Sequence, residues 1–313
     1  MRTLTVFTIV LLISGIRCEA QIREKTDHTL SVQGQIPLWN HNMPEGPGPQ
    51  DAEVITDKGS VTHISNPRLI VHQPSNPNGT AILVISGGGY AHIEMGKEST
   101  PAAQWLQSEG ITAFELIYRL PQENWKTYNV PFEDAQRAMR LIRSVAKKYN
   151  IDPHKVGILG FSAGGHLAGF TSALPHKKLY QPVDETDSLS ARPDFTGLIY
   201  PVISMLPPNN NTHSRKSIIG NKPALSVETA FSVEKQVTSD MPFTFLAQAQ
   251  DDPISSVNNS ILLYSALRKV NVPAEMHLFQ TGGHGWGMGK KESPTASWPE
   301  LFKAWAENNG FWK

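Results

Sequence analysis

The sequence predicts an α/β fold, a mostly parallel, doubly wound sheet covered by helices on both faces. Three observations predict it. Strand-like runs of five or six apolar residues alternate with helical segments along the chain, and strands that apolar must be buried on both sides. One strand-to-helix junction, after the run Val156–Leu159, carries Gly160-Phe161-Ser162-Ala163-Gly164, a turn so tight that glycine alone leaves room two residues before and after the serine. At 313 residues the chain is long enough for one large domain of this kind.

The elements follow in order. Met1–Ala20 reads as an export signal, with Arg2, an apolar core Leu4–Ile13, and Cys18-Glu19-Ala20 ahead of Gln21. That core is too short to span a bilayer, and the small residues at Cys18 and Ala20 suit cleavage after Ala20. Lipidation at Cys18 is disfavoured, because Gly15-Ile16-Arg17 lacks the small residue expected before a lipidated cysteine. A secreted or periplasmic protein without stable membrane association is expected. Residues 21–50 are polar and rich in turn formers (Met43-Pro44-Glu45-Gly46-Pro47-Gly48-Pro49) and read as an extended arm. The regular domain is expected over 51–313.

Within that domain, Leu69–His72 and Ala81–Ser86 are short strand-like runs joined by Pro74–Gly79, a turn-rich connection. A helix is predicted around Thr100–Ser108, a strand over Ile111–Tyr118 and a helix over Phe132–Tyr149. In the last, Phe132, Ala135, Met139, Ile142, Val145 and Tyr149 fall on one face at helical spacing. Strand Lys155–Gly160, the serine turn and a helix through Leu167–Ala173 come next. After a polar loop the alternation resumes with a strand Thr196–Tyr200, a loop to about Ile219 and a strand Phe243–Ala249. A helix Ser256–Val270, a strand Glu275–Phe279 and a final helix Pro299–Asn308 complete the order.

Composition removes several function classes. Lysine plus arginine and aspartate plus glutamate number 28 each, so nothing in the charge balance favours nucleic acid or an anionic membrane as partner. Cys18 is the only cysteine and would leave with the leader, so disulfides, thiol catalysis and cysteine-ligated zinc are excluded from the mature chain. With no clustered His/Asp/Glu spacing for a metal either, no cofactor is expected.

A serine hydroxyl is a poor nucleophile until a base takes its proton and a third group orients the base. In a doubly wound sheet those partners belong in loops after the carboxyl ends of later strands. Two loops fit: Gln250-Asp251-Asp252-Pro253 after Phe243–Ala249, and Gln280-Thr281-Gly282-Gly283-His284-Gly285 after Glu275–Phe279. Singly, an aspartate before proline is commonly a cap and a histidine among glycines a loop residue. Three such residues in the order Ser162, Asp252, His284, each at a strand end, point to nucleophile, orienter and base. Adjacent residues of an extended loop point apart, so one of Asp251 and Asp252 reaches His284. The developing oxyanion needs preorganised donors, and Ser86-Gly87-Gly88-Gly89-Tyr90 at the end of another strand brings backbone N–H groups close to a substrate. No Lys-Ser/Thr follows it, as a phosphate loop requires.

Asp134 reads as a first-turn acid favourable to its helix, and His166 as a residue packing beneath the site. Tyr90, Trp125 and Trp286 lie near the motif loops and are candidates for a sugar or acyl platform.

With these motifs, together with Tyr118-Arg119-Leu120 and Tyr200-Pro201-Val202-Ile203-Ser204-Met205, the chain from about Leu69 onward resembles the α/β-hydrolase superfamily. Within it, the resemblance is to secreted bacterial esterases related to acetylxylan and feruloyl esterases, distant relatives of the hormone-sensitive-lipase group. The resemblance implies Ser162 as nucleophile, His284 as base and Asp252, the acid directly before proline, as orienter. It further implies an oxyanion hole from the N–H groups of Gly88, Gly89 and Ala163. Ser86 stands where the lipase-like group usually has histidine, and Ile254-Ser255 follows Asp252-Pro253 where relatives often have Val-Pro. The expected activity is hydrolysis of short-chain acyl esters, acetyl groups on xylan or xylo-oligosaccharides above all. Feruloyl esterase, general carboxylesterase or amidase, and an inactive binding module of the same fold are the alternatives.

Overall fold

The computed structural model describes residues 34–40 and 43–312. The leader expected over Met1–Ala20, Cys18 with it, and the first part of the arm lie outside the described residues.

The strands are β1 (Gln35–Pro37), β2 (Val54–Ile55), β3 (Ser60–Thr62), β4 (Arg68–His72), β5 (Ala81–Ile85), β6 (Ile93–Glu94), β7 (Thr112–Ile117), β8 (Val156–Phe161), β9 (Phe195–Ile199), β10 (Phe243–Ala249) and β11 (Ala274–Phe279). The helices are α1 (Ser99–Ser108), α2 (Val130–Ser144), α3 (Ser162–Ala173), α4 (His213–Ile219), α5 (Leu225–Phe231), α6 (Asn258–Lys269) and α7 (Trp298–Asn308).

Eight strands make the main sheet in the order β1-β4-β7-β5-β8-β9-β10-β11. The pairs β1/β4 and β4/β7 are antiparallel; every pair from β7 onward is parallel. β2, β3 and β6 form a small separate antiparallel sheet.

Side-chain alternation builds a core on each face. Ala81, Leu83 and Ile85 of β5 enter one cluster with Phe132, Met139, Leu167, Leu263 and Leu267, beneath α2, α3 and α6. Ile82 and Val84 enter the other with Ala102, Leu106, Trp298, Phe302 and Trp305, beneath α1 and α7. All five β5 residues are buried, which is why its sequence is an unbroken apolar run rather than an alternating one.

The expected arm is more than an arm. Gln35–Pro37 pairs with β4 in the main sheet, and Leu38 and Trp39 are buried in its core. The Trp39 indole Nε1 donates to Asp134 Oδ1 at 2.7 Å. The compact unit therefore begins well before residue 51. Asp134 itself departs from the first-turn reading: wholly buried, it also accepts from the backbone N–H and the guanidinium of Arg119. A buried arginine is stable only with such compensation.

Chain order around β5 positions the site. From β5 the chain crosses through α1 to β7 on one side, then through α2 to β8 on the other. The loops leaving β5 and β8 diverge there and open a crevice at the carboxyl edge of the sheet.

Candidate active site

The loop after β8 is a turn of no length: the strand ends at Phe161 and α3 starts at Ser162. Ser162 takes φ of +51°, a strained value for a residue with a side chain. The glycines permit it. A Cβ on Gly160 would lie 2.2 Å from the Gly164 carbonyl oxygen, and one on Gly164 would lie 2.3 Å from the Ile85 carbonyl oxygen. Gly164 and Gly165 are thus part of the helix, which begins five residues earlier than the apolar pattern suggested, because close approach to β5 demands residues that read as a turn.

Three loops bring the remaining groups to Ser162. Its Oγ lies 2.8 Å from His284 Nε2, and His284 Nδ1 lies 2.7 Å from Asp252 Oδ2. A carboxylate only accepts, so the imidazole carries its proton on Nδ1 and presents a bare Nε2 to the hydroxyl. The Asp252 carboxylate is sealed from solvent. Its Oδ1 accepts the N–H groups of Ile254 at 2.8 Å and Ser255 at 2.9 Å. Its Oδ2 also accepts from Gln248 Nε2 at 3.0 Å. Asp251 lies outside this chain: exposed, it accepts the Gly283 N–H and tethers the histidine loop.

The glycine loop after β5 stands against the serine. A Cβ on Gly87 would fall 2.8 Å from Ser162 Cβ. Gly88, Gly89 and Tyr90 all have positive φ, at +109°, +65° and +60°, a left-handed run that glycine accommodates at two of its three positions. The Gly87 N–H is taken by Glu98, while among the described residues no acceptor meets the N–H of Gly88 or Gly89. Ala163, in the first turn of α3, also has an N–H without an intrahelical partner. Ser86 holds the loop from below: its Oγ accepts the Ser99 N–H and lies 2.6 Å from Ser99 Oγ, which in turn donates to Glu115.

Of the three aromatic residues expected to form a platform, Tyr90 and Trp286 are buried instead of standing at a rim. Tyr90 is wholly buried, its hydroxyl donating to His166 Nδ1 at 2.8 Å while His166 Nε2 donates to the Phe231 carbonyl. Burial drives the His166 pKa down to about 4, so it is a neutral support below the loop. Trp286 is 4% exposed and packs edge-on against Tyr200, ring centroids 4.5 Å apart. Trp125 lies over the Arg119 guanidinium at 5.1 Å and against Gly48. The rings of Tyr90 and Trp286 thus find more apolar contact inside than at a rim, whereas Trp125 stays half-buried on the arginine.

Glu98 and Tyr200, which the sequence motifs do not mark as site residues, stand beside the site's loops. Glu98 is 3% exposed and lies between the glycine loop and the histidine loop. Burial raises its pKa to about 7, against the opposing hydrogen bonds from Gly87 and Tyr200 and the field of His284. Tyr200 could have been suspected, since it ends the run before Pro201 at a strand's carboxyl edge; an acid just before a helix carries no such signal.

The BD-FAE family model matches residues 69–267. The chain is 33% identical over 228 residues to an acetylxylan esterase of Xylanibacter ruminicola, over 71% of this chain and 44% of that protein. It is 36% identical over 228 residues to endo-1,4-beta-xylanase B of Butyrivibrio fibrisolvens, over 72% of this chain and 34% of that protein. The chain thus spans less than half the length of these two curated relatives. Among solved structures, the acetyl ester-xyloside bifunctional hydrolase from Caldicellulosiruptor lactoaceticus matches with a TM-score of 0.76 at 36% identity, covering 90% of this chain and 97% of that one. Esterase Est2 of Thermogutta terrifontis, with propionate bound, shares the fold at a TM-score of 0.66 and 22% identity, covering 86% and 97%.

Proposed function

The chain belongs to the BD-FAE family and has the α/β-hydrolase fold, and from that premise we propose that it hydrolyses short-chain carboxylic esters through an acyl-enzyme on Ser162. The observation that carries the reading is the unbroken hydrogen-bonded chain from Ser162 through His284 to Asp252, set beside the unpaired amides of Gly88 and Gly89. As Ser162 Oγ attacks the ester carbonyl carbon, His284 Nε2 takes the hydroxyl proton and Asp252 balances the imidazolium. The carbonyl oxygen gains the charge and is met by the N–H groups of Gly88, Gly89 and Ala163. Collapse of this intermediate breaks the bond to the alcohol oxygen, which leaves with the proton from His284. Water then attacks the acyl-enzyme with His284 again as base, releasing the acid and restoring Ser162.

The substrate class is argued from size and likeness. The His213 ring stands beside the oxyanion loop, its carbons 2.9–3.4 Å from where a Gly89 side chain would begin, which narrows the space next to the amides and suits a small acyl group. Similarity to an acetylxylan esterase and to an acetyl ester-xyloside hydrolase supports acetyl groups on xylan or xylo-oligosaccharides. An export leader over Met1–Ala20 would place the enzyme where such polymers are met.

The test is a chain-length series from acetate to decanoate esters, run beside acetylated xylan and methyl ferulate. Acetate leads the series and acetylated xylan releases acetate if the reading is right. A maximum at eight carbons or beyond, or ferulate release exceeding acetate release, overturns the substrate assignment.

A further inference from the structure

Two loops of the site meet on one buried carboxylate. Glu98 Oε2 accepts the Gly87 N–H at 2.6 Å, and its Oε1 accepts the Tyr200 hydroxyl proton at 3.0 Å. The Tyr200 oxygen in turn accepts the Gly287 N–H at 3.0 Å, three residues beyond His284. The Tyr200 ring stands edge-on to the His284 imidazole with centroids 5.0 Å apart. Contact between the loops is also direct, since a Cβ on Gly287 would lie 2.2 Å from the Lys97 carbonyl oxygen. Gly87 adjoins the amides of Gly88 and Gly89, so the position of Glu98 is transmitted to the oxyanion donors on one side and to the base on the other.

We propose that Glu98 is a positioning residue for ester hydrolysis, its ionised carboxylate clamping the oxyanion loop to the histidine loop and facing the imidazolium that forms there. The proposal rests on the serine-esterase reading above. Both carboxylate oxygens receive a donor: a proton on Oε2 would set a donor against the Gly87 N–H, and one on Oε1 would turn the Tyr200 hydroxyl proton away. An ionised Glu98 is therefore the form that holds both loops. The groups facing it are the Gly87 amide, the Tyr200 hydroxyl and His284, with Glu94 and Tyr118 also near enough to be coupled to it electrically. Burial, the largest influence, lifts its pKa to about 7, which places the working ionisation in the range where the enzyme is assayed. Two groups must then be unprotonated for turnover, His284 as base and Glu98 as clamp. The acid limb of the kcat/KM profile falls with a limiting slope of two protons rather than one.

The experiment compares wild type, Glu98→Gln, Tyr200→Phe and Ser162→Ala with p-nitrophenyl acetate across pH, each variant checked by thermal melting. Glu98→Gln keeps the shape and removes the charge. It is expected to lower kcat by about 10- to 100-fold, the scale of an impaired oxyanion donor, with KM within about two-fold. Its acid limb loses one proton of slope, which a merely structural role would not move. A wild-type kcat, or an unchanged slope, in folded Glu98→Gln overturns the proposal. Where Glu98→Gln does not fold, Tyr200→Phe decides: a several-fold loss of kcat at unchanged KM supports the clamp, and a wild-type kcat overturns it. Ser162→Ala separates the two readings. Turnover that survives in it removes the serine-esterase reading itself, whereas an inactive Ser162→Ala beside a fully active Glu98→Gln removes the clamp alone.

Discussion

Replacing Asp252 by asparagine changes one atom and is expected to disable the site, because of how many donors converge on that carboxylate. Its two oxygens accept four hydrogen bonds, from His284, Gln248, and the backbone of Ile254 and Ser255, at 2.7–3.0 Å. An asparagine oxygen left on the two backbone N–H groups turns the amide NH2 toward His284 Nδ1 and Gln248 Nε2, which are both donors. The imidazole can then pair only by accepting at Nδ1, which moves its proton to Nε2 and sets an N–H against Ser162 Oγ. The opposite rotamer sets the NH2 against the two backbone donors of Ile254 and Ser255 instead. With the base in the wrong tautomer, kcat is expected to fall by about 10⁴, roughly 5.5 kcal/mol of transition-state stabilisation. Asp251→Asn is the matched control: the exposed side chain can still accept the Gly283 N–H through its oxygen, and a change within about 0.5 kcal/mol, or two-fold, is expected. Initial rates on p-nitrophenyl acetate, with melting curves for both variants, decide the matter. A folded Asp252→Asn within about ten-fold of wild type, or an Asp251→Asn more damaged than Asp252→Asn, would refute the assignment.

Gly87→Ala puts a methyl group 2.8 Å from Ser162 Cβ and 2.9 Å from the Phe161 carbonyl oxygen, so the loop must shift; kcat should drop by about 10- to 100-fold, and a wild-type kcat would show that the loop yields without cost. Tyr90→Phe leaves the buried His166 Nδ1 without its hydroxyl donor and should cost about 1–3 kcal/mol in urea denaturation; an unchanged midpoint would contradict that. Glu98, held at about 7 in the folded protein against an ordinary 4.5, favours folding in its neutral form. Its contribution is full below pH 4.5 and is lost as pH rises through 7, so the wild type should lose up to about 3 kcal/mol relative to Glu98→Gln over that window. His166, lowered to about 4, acts oppositely and costs stability as pH falls from 6.5 toward 4. Parallel stability curves for wild type and Glu98→Gln between pH 4.5 and 7 would contradict the Glu98 assignment.

What the sequence reveals and what it hides have physical causes. β5, β8, β9 and β10 are legible because five or six consecutive buried residues leave few ways to keep apolar atoms from water. The serine turn is legible because steric crowding dictates its glycines. β2, β3 and β6 escape notice, since two or three residues are too few to set a period. α4 and α5 escape likewise: each is only seven residues long, and α4 falls within the stretch to Ile219 that reads as loop. Aromatic residues mislead for another reason. Proximity in sequence places Tyr90 and Trp286 beside the motif loops, but their size draws them inward, Tyr90 to His166 and Trp286 to Tyr200. Glu98 is the deepest omission. Its role comes from contacts with residues 11 and 102 positions away, a relation that one-dimensional spacing does not contain.

The nucleophile is identified most directly by covalent labelling with a fluorophosphonate, which mimics the tetrahedral intermediate and stays on the attacking atom. Intact-mass spectrometry of the folded protein should show a single adduct, peptide mapping should place it on Ser162, and Ser162→Ala should remain unlabelled and inactive on p-nitrophenyl acetate. A folded wild-type sample that takes no label, or one labelled at another residue while hydrolysis of the ester continues, would rule out Ser162 as the nucleophile.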